Sequence, residues 1–215
     1  MCVPAMLGRL LGRSERGRVV NPKDETGSAL AAMGYAGRHF IDADDPYGSR
    51  YDFLSYCYLL DRSELDPSRG VRRRFEKWPH IVRLGQQLVR PIEILRMGGD
   101  PEIEDRFNVW GKARREGISW LLAAYVAWRM LFYEGFGALM TSIGEREAAD
   151  WLAKVKFVHE NLPKEWQMPK GKDSTQEYSI PGMQSQVLAL PNTSASGRGF
   201  DGSLVIMDEA DSHEN

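Results

Sequence analysis

Nine residues, Gly111 to Ser119 (GKARREGIS), hold the densest group of side chains able to handle phosphate. The usual phosphate loop is G-x-x-x-x-G-K-[ST]: backbone amides wrap the phosphates, the lysine neutralises terminal charge and the hydroxyl holds magnesium. Counted back from Gly117, the first-glycine position is Lys112 and the lysine position is Ile118. The lysine therefore stands at the front of the loop. A loop that curls so that its two ends flank a nucleotide would still deliver the Lys112 ammonium, and Ser119 keeps the metal-binding hydroxyl at the start of the following helix. The expected cradle is Lys112, Ala113, Arg114, Arg115, Glu116, Gly117, Ile118 and Ser119. The plain alternative is a solvated basic loop in which Ser119 only caps that helix.

A second constellation lies downstream, where the apolar run Leu204-Val205-Ile206-Met207 ends in Asp208-Glu209. At the carboxyl end of a central strand, Asp208 would reach magnesium and Glu209 would polarise the water that attacks a γ-phosphate. The plain alternative here is a strand running into an acidic turn. Phosphate loop, helix and acidic strand follow one another in the order a nucleoside triphosphatase needs.

The elements that must position these groups can be read from periodicity. Residues 1–45 are rich in Gly, Arg and Asp with brief apolar stretches, and predict an irregular arm. Residues 46–100 predict a small helical preface, with a helical stretch opening at Trp78-Pro79, interrupted at Pro91 and running to Leu95. Residues 101–215 would form the nucleotide-binding core. Its elements are a β-prone segment at Arg106–Trp110, the loop, a buried helix from Ser119 to about Tyr133, and a strand over Ala138–Ser142. A helix over Glu145–Glu160 follows, with Ala148, Trp151, Leu152 and Val155 at three- and four-residue steps. Lys164–Glu177 reads as a polar connection, Gln186–Leu190 as a strand, and Pro191–Gly202 as a loop near a ligand. Leu204–Met207 suits the centre of a parallel sheet buried on both faces.

Composition limits the alternatives. The 215 residues are 42% hydrophobic and 27% charged, with a formal net charge of −2, so no overall basic field is present. Arg72, Arg73 and Arg74 form a local basic cluster, more often a solvated face than a phosphate contact. Cys2 and Cys57 are too few for a disulfide framework or a zinc site, and His39, His80, His159 and His213 lack companions at ligand spacing. Trp120, Tyr125 and Trp128 on the long helix read as core. The apolar run from Ile118 to Phe132 is too short to span a bilayer and carries Arg129.

The segment KARREGISW, Lys112 to Trp120, resembles the variant Walker A loop of the large terminase subunits that package DNA into tailed-phage heads, where a K-x-R-Q-x-G-x-S pattern is frequent. Arg115 stands where glutamine is usual in that family. Three further blocks agree in order: Gly137 to Phe157, Gln186 to Gly202, and LVIMDEAD at Leu204 to Asp211. The resemblance spans residues 50 to 215 and is clearest after Phe107. It implies an α/β P-loop sheet of the additional-strand type, three-layered and here incomplete, behind a helical preface. It implies Lys112 as the phosphate-binding lysine, Arg114 as the loop arginine that contacts the γ-phosphate, Ser119 and Asp208 as magnesium ligands, and Glu209 as the catalytic carboxylate. Arg198, in Gly197-Arg198-Gly199, matches the arginine-glycine pair that precedes the acidic strand in the family.

The function implied is an ATP- and Mg2+-dependent motor that drives double-stranded DNA into a procapsid, as a homo-oligomeric ring docked on a portal protein and served by a small terminase subunit. Host cytoplasm is the expected location, with no membrane attachment. Six residues follow Glu209, so the later strands and the nuclease domain of the family are expected to lie outside this chain. Two competing expectations are a superfamily 2 helicase, whose signature Asp208-Glu209-Ala210-Asp211 spells, and an inactive P-loop module that only binds partners. Those helicases keep the lysine beside the second glycine, where Ile118 stands.

Overall fold

The computed structural model describes residues 29–62, 70–111, 117–192, 197 and 199–208. These form a mixed α/β structure around a four-stranded sheet, with helices against it and a helix, α1 (Ala29–Arg38), at the N-terminal side. After α1 come α2 (Phe53–Tyr56), the strands β1 (Tyr58–Arg62) and β2 (Gly70–Arg74), then α3 (Pro79–Arg96) and α4 (Ile103–Arg106). The second half supplies α5 (Ile118–Phe132), β3 (Gly137–Ser142), α6 (Glu145–Glu160), β4 (Glu177–Ile180), β5 (Ser185–Pro191) and β6 (Leu204–Met207).

Helix α5 is apolar on every side and is buried on every side, as such a pattern requires. Leu121, Ala123, Ala124, Val126, Ala127, Met130 and Leu131 are all within 1% of complete burial. It packs on α6 and the sheet, and on its other flank meets α1 and α3. Trp128 fixes the second contact by donating its indole N–H to the Ala36 carbonyl at 2.9 Å. The one cation in the helix, Arg129, lies over the rings of Tyr133 at 4.6 Å and Phe136 at 4.7 Å and donates to the Tyr125 hydroxyl at 3.0 Å. The aromatic faces replace part of the hydration that the guanidinium loses.

In the sheet the strand order is β4-β5-β3-β6. β3 runs parallel to β5 and to β6, whereas β4 pairs antiparallel with β5 through a tight connection, the 3-10 turn Pro181–Met183 and Gln184 in the left-handed region. Matched positions in the parallel register put Ala138, Met140, Val187, Ala189 and Ile206 on one face, all buried. Leu139, Thr141, Leu188, Leu190, Val205 and Met207 share the other face, and there Val205 and Met207 are 58% and 57% exposed. Leu204–Met207 is thus a strand as its sequence predicts. Among the described residues, however, it has a neighbour on one side only and an open apolar face, not the two-sided burial expected of it.

Four other expectations are corrected. Phe107–Trp110 forms no strand, and Phe107 and Val109 are 74% and 81% exposed, since no neighbouring strand offers them a partner. Part of the stretch read as an irregular arm is helix α1, with Met33 and Ala36 in the core. The helical preface contains the β1–β2 hairpin, paired from Tyr58↔Arg74 to Arg62↔Gly70. Pro91 does not interrupt α3. The carbonyl four residues earlier belongs to exposed Gln87, so water can take the hydrogen bond that proline cannot make.

The N-terminal part is tied together by buried charge. Asp52 caps α2 by accepting from the Ser55 amide at 3.0 Å, and also accepts from the Asp42 amide at 3.0 Å and from Lys77 Nζ at 2.6 Å. Its side chain is completely buried and that of Lys77 nearly so. Every lone pair that burial strips of water has a donor, the condition under which a buried ion pair is tolerated.

A second buried polar contact joins α6 to the hairpin of β4 and β5. His159 Nε2 accepts the Met168 amide at 3.2 Å, so Nδ1 carries the proton and meets the Tyr178 hydroxyl at 2.6 Å. Burial holds the imidazole neutral and lowers its pKa to about 4, while the unfolded chain has the ordinary value of 6.5. The unfolded state therefore binds more protons between those limits, and stability is lost as pH falls from 6.5 towards 4. The expected loss from this group is on the order of 3 kcal/mol. Denaturant titrations of the protein and of His159→Gln across that range should show the steeper decline in the unsubstituted protein; parallel profiles would show that His159 does not control it.

Candidate functional site

A tight connection joins α5 to β3: the chain turns through Tyr133 to Phe136, with Gly135 at φ 72° donating its amide to the Met183 carbonyl at 2.9 Å. The first turns of α5 carry Gly117 and Ser119, and Trp120 beside them packs on Phe157 in the last turns of α6, with ring centres 5.5 Å apart. β6 delivers Asp208 at the carboxyl end of the parallel strands. In open α/β sheets, this carboxyl edge is where ligands bind.

Asp208 follows the last residue of β6, and its amide donates to the Thr141 carbonyl at 3.0 Å, which extends the ladder by one bond and fixes where the carboxylate leaves the sheet. Thr141 lies one residue from the end of β3. Its hydroxyl is buried without a hydrogen-bond partner, an unusual polar vacancy beside the strand tips. At the amino end of the same strands, Gly137 lets the chain at 200–202 approach closely: a Cβ there would meet the Asp201 carbonyl at 3.1 Å and Phe200 at 3.2 Å. That contact sets where β6 begins, and so where Asp208 falls.

Gly117 occupies the N-cap of α5 in the left-handed region, with φ 78° and ψ 1°. The glycine needed for a phosphate loop is therefore also needed by the backbone. Ile118, at the position where the usual loop has lysine, is 5% exposed and belongs to the core, so a charge at that position would be buried. Its burial accounts for the lysine standing elsewhere. Ser119 is half-buried in the first turn of the helix.

The structure thus places three of the expected site residues, Gly117, Ile118 and Ser119, on the first turn of α5, and Asp208 at the carboxyl end of β6. Lys112, Ala113, Arg114, Arg115 and Glu116 lie outside the described residues, as do Arg198 and Glu209. A hydroxyl and a carboxylate are hard oxygen donors of the kind magnesium takes, with water and phosphate oxygens completing its shell. Among the described residues no cluster of three or more His, Cys, Asp or Glu could hold a metal by itself. No helix among them is long and apolar enough to cross a membrane.

Sequence reasoning overlooked Thr141. It lies in a strand where threonine is an ordinary β-former, and only the register with β6 reveals that it neighbours Asp208.

Adding a side chain at Gly117 tests the local geometry. A Cβ would meet only Ile81 Cδ1, at an ordinary 3.6 Å, so the cost is backbone strain alone. Gly117→Ala should destabilise the protein by about 1 kcal/mol and Gly117→Asn by less, since asparagine tolerates the left-handed region. Denaturation midpoints will show this; an alanine variant as stable as the parent would contradict the conformation described. The chain matches no protein-family model and no curated protein.

Proposed function

We propose that this chain is the ATP-hydrolysing part of a viral DNA-packaging motor of the large-terminase type. The observations that support the reading are Gly117-Ile118-Ser119 at the start of a buried helix and Asp208 at the carboxyl end of the parallel strands β3 and β6. Ser119 and Asp208 would share magnesium. The helix start contributes a positive dipole end towards phosphate.

ATP with Mg2+ is the ligand proposed, and the chain's own groups divide the work. Lys112 and Arg114 neutralise the charge on the β- and γ-phosphates. Glu209 accepts a proton from the attacking water as it closes on the γ-phosphorus. Magnesium offsets charge on the transferred group. Translocation of double-stranded DNA, a ring of subunits, the portal protein and the small terminase subunit belong to the proposal through the sequence resemblance.

The order β5-β3-β6 supports the additional-strand arrangement, because the free edge of β6 lies where a strand between the two nucleotide motifs would pair. The P-loop three-layer fold is proposed on that basis.

Three substitutions separate the proposed roles. Lys112→Ala should weaken Mg-ATP binding at least about tenfold, in keeping with the loss of one charged phosphate contact. Glu209→Gln should leave binding within about twofold and lower turnover by roughly 100-fold or more, the usual effect of removing a general base. Asp208→Asn should abolish the magnesium dependence of both. Binding of a fluorescent ATP analogue and phosphate release measure these effects. If neither Lys112→Ala nor Glu209→Gln alters affinity or turnover, the module is an inactive binding fold.

A further inference from the structure

At the other end of the sheet, α6 ends against the β1–β2 hairpin, and the two enclose a cleft of about 400 Å³. Its walls include Tyr56, Tyr58, Arg72, Arg74, Asn161 and Lys164, and among the described residues no carboxylate lines it. The alternation of a strand divides the arginine cluster. Arg73 points away and pairs with Asp61 at 3.2 Å, whereas Arg72 and Arg74 share the cleft face.

Register places Tyr58 directly across from Arg74, and both guanidinium groups gather at its ring, Arg72 at 4.6 Å and Arg74 at 5.9 Å from the centroid. Arg72 is also held by Asn161, whose side-chain oxygen accepts from Nη1 at 2.9 Å, so this cation is oriented by both walls. Two like charges collected at one ring, with a lysine opposite, form a local field that an anion would relieve. Tyr56 closes the floor by packing on Trp166 at 4.5 Å between ring centres.

We infer that this cleft binds the phosphodiester backbone of a nucleic acid. Planar guanidinium groups match phosphate oxygens two at a time, and all three cations are exposed at the rim, as a passing chain requires. The volume fits one nucleotide unit rather than a whole fold. Helix α6 starts beside the carboxyl ends of the strands and finishes here, so the cleft is separate from the sheet edge that carries Asp208. It stands whether or not that edge hydrolyses ATP.

The test is fluorescence anisotropy of labelled duplex and single-stranded oligonucleotides of about 20 nucleotides, without ATP, over a series of salt concentrations. The Arg74→Gln/Lys164→Gln double variant should bind at least about tenfold more weakly and lose about two from the slope of log affinity against log salt. Arg73→Gln, which removes one charge on the opposite face of β2, should stay within about twofold of the parent. Both altered side chains of the double variant are exposed, so an unchanged melting curve is expected alongside. An equal loss per charge removed in Arg73→Gln and in the double variant would overturn the proposal, since diffuse charge and not the cleft would then be responsible. Absence of oligonucleotide binding by the parent would overturn it too, leaving the arginines to serve the carboxyl end of α6. Displacement of the oligonucleotide by millimolar inorganic phosphate at constant ionic strength would reassign the cleft to a small phosphate. Lys112→Ala and Glu209→Gln should leave this binding unchanged, which separates failure here from failure of the ATPase proposal.

Discussion

Burial of α5 is the constraint on which the rest depends. A helix without a polar face is stable in water only when covered all round, and no single layer can do that. The sheet and α6 cover one side, and α1 and α3 the other, with the Trp128 to Ala36 hydrogen bond joining N-terminal helix to core. The N-terminal helices are therefore part of the same core as the strands. Each fully buried leucine or methionine contributes roughly 1.5–3 kcal/mol, which makes this helix the largest single source of cohesion. Its ends also matter, because a rigid α5 fixes the height of Gly117 and Ser119 above the sheet.

The sheet itself is finished on one face and unfinished on the other. Ala138, Met140, Val187 and Ile206 are covered, while Val205 and Met207 remain open on the free edge of β6. An apolar strand edge of this kind is a template for pairing and is normally covered or blunted. The Asp208 amide bond to Thr141 limits how far β6 can slip against β3, because a shift of one residue would reverse its faces and break that contact.

Much of the second half was legible in the sequence because its periods are strong. Ala148, Trp151, Leu152 and Val155 announce α6, and the apolar runs around Leu139, Leu188 and Val205 announce three strands. β4 escaped because Glu177-Tyr178-Ser179-Ile180 is short and lies in a polar stretch; it is a strand through its pairing with β5, not through propensity. Phe107–Trp110 failed in the opposite way, having the right residue types and no neighbour. Composition averaged over 45 residues concealed α1, whose core contacts come from Met33, Ala36 and the helix partners they meet. At the site, spacing alone picked out Gly117 and Ser119 at a helix start and Asp208 at a strand end. The Asp208 amide bond to the Thr141 carbonyl needed the register, in which Thr141 pairs with Met207, and the split of the Arg72–Arg74 cluster needed β2 to be known as a strand.

The most direct test of the central claim, that Ser119 and Asp208 make one magnesium-nucleotide site, is isothermal titration of ATP into the 215-residue protein with and without Mg2+, repeated for Ser119→Ala and Asp208→Asn. The account predicts binding that requires the metal and is weakened by about tenfold or more in each variant. Affinity indifferent to magnesium and to both substitutions, or no heat of binding at all, would contradict it.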